Sequence, residues 1–224
     1  MIEMEKRDWL QEHLSFWPHL SETEQEVLCA GTQPVHYKKG QNVHSGSNDC
    51  VGVVMVRKGC LRTYMLSEDG REVTLYRLEP GDICVLSASC VLETITFDVF
   101  VDADVETDIY LLSSAVFHRL TEENIYVSCA AYELATTRFS QVMWAMQQIL
   151  FMKVDQRLAI FLWDESAKTG SDTLKLTHEQ VAKYMGSARE VVTRMLKYFA
   201  KEGIVTLSRG TITITDRDKL RQLI

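Results

Sequence analysis

The sequence has 224 residues, of which 46% are hydrophobic and 25% charged, enough for one large domain or two of ordinary size. It contains no run of eighteen apolar residues, and its first twenty residues lack the apolar core and cleavage site of a secretory signal. We therefore expect a soluble cytoplasmic protein with no membrane partner. The six cysteines include no CxxC pair, which favours reduced thiols over a disulfide framework.

The net charge of −7 is unevenly distributed along the chain. Residues 175–224 hold ten basic and five acidic residues, a charge of +5, whereas residues 1–174 hold fourteen basic and twenty-six acidic residues, a charge of −12. This division is typical of a protein in which only the C-terminal part binds a polyanion. A chance imbalance on solvated faces is the alternative.

Between residues 33 and 112, short strand-forming segments alternate with glycine-containing turns, which predicts an antiparallel sandwich or barrel. The clearest strand runs from Ile95 to Glu106, with apolar residues alternating with mainly acidic ones. Residues 67–70, SEDG, are typical of a hairpin turn, because Asp-Gly readily adopts positive φ angles. The glycines that divide the strands are Gly40, Gly46, Gly59, Gly70 and Gly81.

From Ile125 onward, apolar residues recur at alternating steps of four and three, which predicts a helix of nearly thirty residues. A second apolar stripe begins at Val127 and is suited to cover the β domain. Because two stripes need two partners, we expect a parallel homodimer. One long helix folded on its own domain is the alternative. The expected dimer seam consists of Ile125, Cys129, Tyr132, Thr136, Phe139, Met143, Met146 and Leu150.

After a further helix at about 154–167, the segment from Leu176 to Asp216 has the spacing of a helix-turn-helix. Thr177 and Gln180 can cap the first helix, Ala182 gives clearance where two helices cross, and Gly186 supplies the tight turn. Val192 then fills the angle between the helices. The second helix is predicted from about Ser187 to Lys201, followed by a β-hairpin wing.

On these features the sequence resembles the Crp/Fnr family of bacterial transcription regulators over essentially its whole length. The resemblance implies an α+β fold: an N-terminal antiparallel β-roll of the cyclic-nucleotide-binding jelly-roll type, a long dimerisation helix and a C-terminal winged helix-turn-helix. We expect a sensing domain with an N-terminal helix at 1–121, the dimerisation helix at 122–152 and the DNA-binding domain at 153–224.

The resemblance also implies a homodimer that binds double-stranded DNA at a two-fold-symmetric site, with RNA polymerase as a candidate partner and no catalytic residue. An effector in the β-roll is expected to rotate the winged domains about a hinge at 152–155. In this family the recognition helix often carries Arg-Glu-x-x-x-Arg, matched here by Arg189, Glu190 and Arg194. Arginine can bind guanine and glutamate can accept from cytosine, so we expect base contacts from these three. The residues expected to contact phosphate are Ser187, at the helix N-terminus, Lys183, Lys197 and Arg209.

The stretch GDICVLSASC, residues 81–90, falls where the family keeps its effector pocket. Cyclic-nucleotide-binding relatives place a Gly-Glu pair on the ribose and an Arg-Ser pair on the phosphate. This sequence has apolar residues at the first pair, and at the second an aspartate that would repel phosphate, which argues against cyclic AMP as effector. We therefore expect the effector to be an unidentified small molecule or a redox signal. The expected pocket residues are Cys84, Val85, Leu86, Cys90, Phe97 and Asp98.

Three roles are open for Cys84 and Cys90: packing, thiol sensing, and metal or haem ligation. The family's iron-sulfur branch uses cysteines near the N-terminus, but the first cysteine here is Cys29. No cofactor or metal ligand is assigned.

Two other classes of function fit the sequence less well than DNA binding. A cupin-type metalloenzyme is disfavoured because His36 and His44 have no close histidine downstream. A sensory β-roll protein whose winged helix binds another protein is the alternative function, and the basic C-terminal segment argues against it.

Overall fold

The computed structural model describes residues 2–46, 51–68, 70, 72–85 and 99–224. The chain begins with helix α1 (Ile2–His13), a 3-10 turn (Trp17–His19) and helix α2 (Glu22–Ala30). Ser21 and Glu24 form a capping box, in which each side chain accepts a hydrogen bond from the other residue's backbone N–H. These capping bonds fix the start of α2 locally. They also lower the pKa of the Glu24 carboxyl.

Eight strands follow within the described residues: β1 (Thr32–Tyr37), β2 (Asn42–Ser45), β3 (Val53–Lys58), β4 (Leu61–Leu66), β5 (Glu72–Leu78), β6 (Ile83–Cys84), β7 (Phe100–Ala103) and β8 (Thr107–Leu112). They form two four-stranded sheets, with orders β1-β8-β3-β6 and β2-β7-β4-β5. Strand pairs are antiparallel, as where Val35 lies opposite Ile109 and Thr63 opposite Val101. The predicted antiparallel β-roll is confirmed.

Alternation along the strands builds the interior of the roll. Val99, Val101 and Ala103 are buried together with Leu61 and Ile109. Strand β7 ends at Ala103, and residues 104–106 form the turn into β8. The predicted extension of this strand to Glu106 is therefore wrong, and Val105 is exposed. Its predicted beginning, from Ile95 to Asp98, lies outside the described residues.

Two helices follow the roll: α3 (Ser114–Glu123) and the 27-residue α4 (Ile125–Phe151). Val127, Ala130 and Ala131 of α4 pack in a core with α1 and with residues of the first sheet such as Met55 and Tyr110. Val142 packs against the interior of the roll. The part of the second apolar stripe from Val127 to Val142 therefore covers the β domain, as expected.

The C-terminal part contains α5 (Val154–Thr169), β9 (Thr173–Leu174), α6 (His178–Met185), α7 (Arg189–Lys201), β10 (Val205–Ser208), β11 (Thr211–Ile214) and α8 (Arg217–Arg221). Its sheet has the order β10-β11-β9. Leu158, Val192, Phe199 and Ile212 are among its core residues. This is the predicted winged helix-turn-helix.

The chain divides into two compact units. The first comprises Met1–Met65 and Leu75–Val142, and the second comprises Leu66–Thr74 and Met143–Ile224. The second unit thus takes in the tip of the β4–β5 hairpin.

Candidate nucleic-acid interface

Helix α6 begins after the predicted cap residue Thr177 and ends at the predicted turn residue Gly186. The Thr177 hydroxyl accepts from the Gln180 backbone N–H at 3.2 Å, and the Gln180 side chain accepts from the Thr177 backbone at 2.9 Å. Gly186 follows the helix with a φ of 60°, the left-handed conformation that glycine adopts without a Cβ clash. The Ser187 backbone N–H donates to the Ala182 carbonyl at 2.9 Å and closes the turn.

Helix α7 begins at Arg189, with Ala188 as its N-cap and no side-chain cap. The helix therefore starts later than predicted, and Ser187 lies in the preceding turn, half-buried, instead of at the helix terminus. Val192, Leu196 and Phe199 are buried and hold α7 in the core of the second unit. Because these residues recur at steps of four and three, the remaining face of α7 is presented to solvent.

That solvent face carries a shallow cleft of about 480 Å³ lined by Arg189, Glu190, Thr193, Arg194 and Lys197. Three cations and one carboxylate meet there on successive turns of one helix. The two guanidinium groups offer planar pairs of donors, and the Glu190 carboxylate offers acceptors. These are the groups that read the edges of G·C base pairs in the major groove.

The other predicted phosphate contacts lie apart from this cleft. Lys183, near the end of α6, forms an ion pair with Glu72 at 3.1 Å, and its carbonyl accepts from the Thr74 hydroxyl at 2.8 Å. Both partners belong to the hairpin tip of the same unit. Arg209 lies in the exposed turn between β10 and β11. Arg189, Glu190, Arg194 and Lys197 therefore lie together in the cleft. Lys183 lies outside it and forms an ion pair with Glu72.

A hydrogen bond joins the first residue of α6 to the middle of α7: His178 Nδ1 lies 3.1 Å from the Thr193 hydroxyl. Partial burial lowers the pKa of His178, and the positive charges of Arg189 and Lys197 lower it further. All three effects favour the neutral imidazole. Neither His178 nor Thr193 was predicted as a site residue.

Of the expected effector pocket, only Cys84 and Val85 lie within the described residues; Leu86, Cys90, Phe97 and Asp98 lie outside them. Cys84 is 1% exposed, and its sulfur lies 3.8 Å from the Tyr76 hydroxyl. Burial raises the pKa of Tyr76 well above its usual value, so this hydroxyl is protonated at neutral pH. Cys60 donates to Glu79 at 3.2 Å, and burial raises the pKa of its thiol. Cys84 packs in the interior of the roll, and Cys60 is buried in the turn between β3 and β4.

Arg138 connects α4 to the turn that begins this region. It is 3% exposed, and its Nη2 donates to the Ile83 carbonyl at 3.0 Å and to Asp82 Oδ1 at 3.2 Å. Its Nη1 donates to the Gln141 side chain at 2.9 Å. The backbone just before residue 84 is therefore anchored to the long helix by a buried guanidinium.

Among the described residues, no three His, Cys, Asp or Glu side chains come together in a way that could hold a metal ion. Within the same ranges, no helix combines the length and apolar character that a membrane span requires.

Comparison with known proteins bears on both parts of the chain. The family described as "Cyclic nucleotide-binding domain" matches residues 34–124, and the family described as "Crp-like helix-turn-helix domain" matches residues 156–223. A solved structure of a Crp/Fnr-family protein from Eubacterium rectale is 42% identical. The match covers 95% of this chain and 98% of that one, with a TM-score of 0.89. The chain belongs to the Crp/Fnr family.

Curated Crp/Fnr relatives are more distant. The nitrogen fixation regulation protein FixK of Bradyrhizobium diazoefficiens is 26% identical over 196 residues, with 84% of this chain and 81% of FixK covered. The cAMP-activated global transcriptional regulator Vfr of Pseudomonas aeruginosa is 23% identical over 197 residues, with 84% and 92% covered. As a Crp/Fnr protein, the chain is a DNA-binding transcription regulator and not an enzyme.

Three features of this Crp/Fnr protein were missed in the sequence: the His178–Thr193 bond, the Arg138 anchor and the Glu72–Lys183 pair. His178 and Thr193 lie 15 positions apart, Arg138 and Ile83 lie 55 apart, and Glu72 and Lys183 lie 111 apart. Only Thr193 carried a usable signal, because it lies four residues after Arg189 and so shares its helix face.

Proposed function

We propose that the protein binds a two-fold-symmetric DNA site as a homodimer, with α7 in the major groove, in response to an effector held by the β-roll. The observation that carries this proposal is the cleft on α7, where Arg189, Glu190, Arg194 and Lys197 face solvent together. Arg189 and Arg194 would read guanine and Glu190 would accept from cytosine. Lys197 and Arg209 would bind phosphate and set the register.

Exposure along α4 supports a homodimer. The large apolar side chains of the predicted seam are 45 to 69% exposed, although the neighbouring stripe is buried within the chain. The exposed members are Ile125, Tyr132, Phe139, Met143, Met146 and Leu150. A continuous apolar stripe on a long helix is stabilised by burial against a copy of itself. Two winged domains would then meet half-sites one turn of DNA apart, about 34–36 Å.

We infer that the effector is not cyclic AMP. Val85 is fully buried among apolar residues, which does not suit a contact with ribose hydroxyls. Burial of Cys84 supports a packing role for this thiol over redox sensing, because a reactive thiol has to be accessible as a thiolate. The burial of Cys84 thus counts against a redox role for this cysteine, and we propose a small molecule as the effector. RNA polymerase is the further partner expected of such a regulator.

The test begins with duplexes selected by the full-length protein from a random library. Arg194→Ala should weaken binding to the selected duplex about tenfold to a hundredfold, since it removes a bidentate base contact. Lys197→Ala should weaken binding to all duplexes alike and lower the salt slope by about one. Fluorescence anisotropy at several salt concentrations measures both effects.

Arg221→Ala is the matched control, because Arg221 is an exposed arginine of the same unit outside the cleft. It should leave affinity unchanged, and so should added cyclic AMP. If binding depends little on salt and survives Arg194→Ala, the winged helix is a protein-interaction module and the proposal is wrong. Tightening of binding by cyclic AMP would overturn the effector inference alone.

A further inference from the structure

The hydroxyl of Thr193 is engaged differently from the hydroxyls of three other threonines within helices of this chain. Thr136, Thr137 and Thr169 each donate to the carbonyl four residues earlier, at 2.8 to 2.9 Å. Thr193 instead bonds the imidazole of His178, on another helix. It also lines the α7 cleft, one turn from both Arg189 and Lys197. The Thr193 side chain, which lines the cleft, is thus hydrogen-bonded to His178 of α6.

We propose that His178 is a positioning residue that fixes the side chain of Thr193 and so determines which base pair is accepted beside the Arg189 and Arg194 contacts. The inference rests on the proposed function, because it requires α7 to lie in the major groove. His178 itself touches no base in this scheme. It acts through Thr193.

The physical argument concerns the two contacts that threonine can make with a base pair. Its methyl group can pack on the thymine methyl, and its hydroxyl can bond either a donor or an acceptor on a base edge. In a helix, threonine divides between two χ1 rotamers, so an unrestrained side chain presents both groups in two arrangements. The bond to His178 selects one rotamer and therefore one arrangement.

The same bond also restricts the chemistry of the hydroxyl. When Nδ1 accepts, the Thr193 proton is committed to His178 and the oxygen is left to accept from an amino group of adenine or cytosine. When Nδ1 donates, the hydroxyl proton is left for an acceptor on guanine, adenine or thymine. Either way, a group that reads bases without preference becomes selective. The depression of the His178 pKa by burial, Arg189 and Lys197 keeps the neutral imidazole available for this bond.

The experiment measures discrimination at every base pair of the duplex selected by the wild-type protein. Affinities of all single base-pair variants are measured for the full-length wild type, His178→Ala, His178→Asn and Thr193→Val. His178→Ala and Thr193→Val should both lower discrimination at the same position of each half-site, by about threefold to tenfold, the worth of one hydrogen bond. Discrimination at other positions and the salt slope should not change.

His178→Asn should restore discrimination, because its amide can occupy the place of Nδ1. The matched control is His118→Ala, since His118 pairs only with Glu122 on the surface of α3 among the described contacts and should affect no position. A merely structural role for His178 would lower affinity for all duplexes alike, without a position-specific effect and without rescue by asparagine. That result overturns the inference.

The remaining outcomes are distinguishable. If the wild type selects no sequence, the proposed function fails. If it selects one and the His178→Ala and Thr193→Val proteins discriminate as the wild type does, DNA reading stands and the inference is wrong. Should His178→Ala fail to fold by circular dichroism, Thr193→Val decides alone: unchanged discrimination by that variant refutes the role.

Discussion

His178 shows at the residue scale how the basic face of α7 affects a neighbouring titratable group. It is half-buried at the start of α6, and Arg189 and Lys197 approach it from α7. Burial and two positive charges all oppose protonation, so the pKa of His178 lies below its ordinary 6.5. The basic residues of α7 that are proposed to bind DNA thus also favour the neutral form of this imidazole.

The first prediction at this scale concerns Lys197→Met. Removing this cation should raise the pKa of His178 toward 6.5, as followed by an NMR titration of the imidazole protons. Lys201→Met, one turn further along α7, is the control and should leave the titration unchanged. An unshifted titration in Lys197→Met would show that the lysine charge does not reach the ring.

The depressed pKa of His178 also fixes the sign of a pH effect on stability. The folded state disfavours the protonated ring, so the stability contribution of His178 is complete above pH 6.5 and is lost as the pH falls through its folded-state pKa. Because Lys197→Met should raise the folded-state pKa of His178, it should narrow the pH range over which this stability contribution is lost.

At the scale of elements, α4 has two apolar stripes that differ in exposure to solvent. Val127 and Ala131 are buried within the chain, whereas Tyr132 and Phe139 are exposed. Arg138 lies on the covered side and bonds the turn at Asp82 and Ile83. A buried cation is tolerated there because a carboxylate, a carbonyl and an amide oxygen surround it.

Arg138→Met should therefore destabilise the protein by about 2 kcal/mol, since it leaves a buried carbonyl without its donor and removes the partner of Asp82. Urea unfolding followed by circular dichroism measures the change. Arg119→Met removes only an exposed pair with Glu123 at 3.8 Å and should cost less than about 0.5 kcal/mol. Equal effects of the two substitutions would show that the anchor does not stabilise the roll.

At the scale of the whole molecule, the feature that bears on assembly is the exposed apolar seam of α4. Phe139 lies at its middle and is 66% exposed, and Trp144 and Phe151 extend the apolar surface. The seam needs a partner because exposed apolar area of this extent is stabilised by removal from water. In the proposed homodimer, a second copy of the chain would supply a matching stripe.

Phe139→Asp should convert the dimer to a monomer at micromolar concentration, because two carboxylates would face each other across an apolar seam. Sedimentation velocity measures the change. Thr137→Asp is the control, as it adds the same charge at an exposed position of the helix that is turned away from the seam, and it should leave the dimer intact. A Phe139→Asp protein that remains dimeric would show that the interface lies elsewhere.

The sequence by itself determined the features that depend on local order. The capping pair Thr177 and Gln180, the turn at Gly186 and the period of α4 were predictable because caps, turns and helix faces join residues only a few positions apart. The Arg-Glu-x-x-x-Arg pattern located most of the cleft for the same reason, since its residues share one face of one helix.

Only the tertiary structure decided which residues from distant elements meet. It showed that Glu72 occupies Lys183, that Arg138 anchors Ile83 and that His178 bonds Thr193. It also ended β7 at Ala103 and began α7 at Arg189, because strand and helix ends depend on which neighbours are available to pair. Spacing along a chain fixes periodicity and local hydrogen bonds, whereas a contact across 15 or 111 positions depends on how separate elements pack.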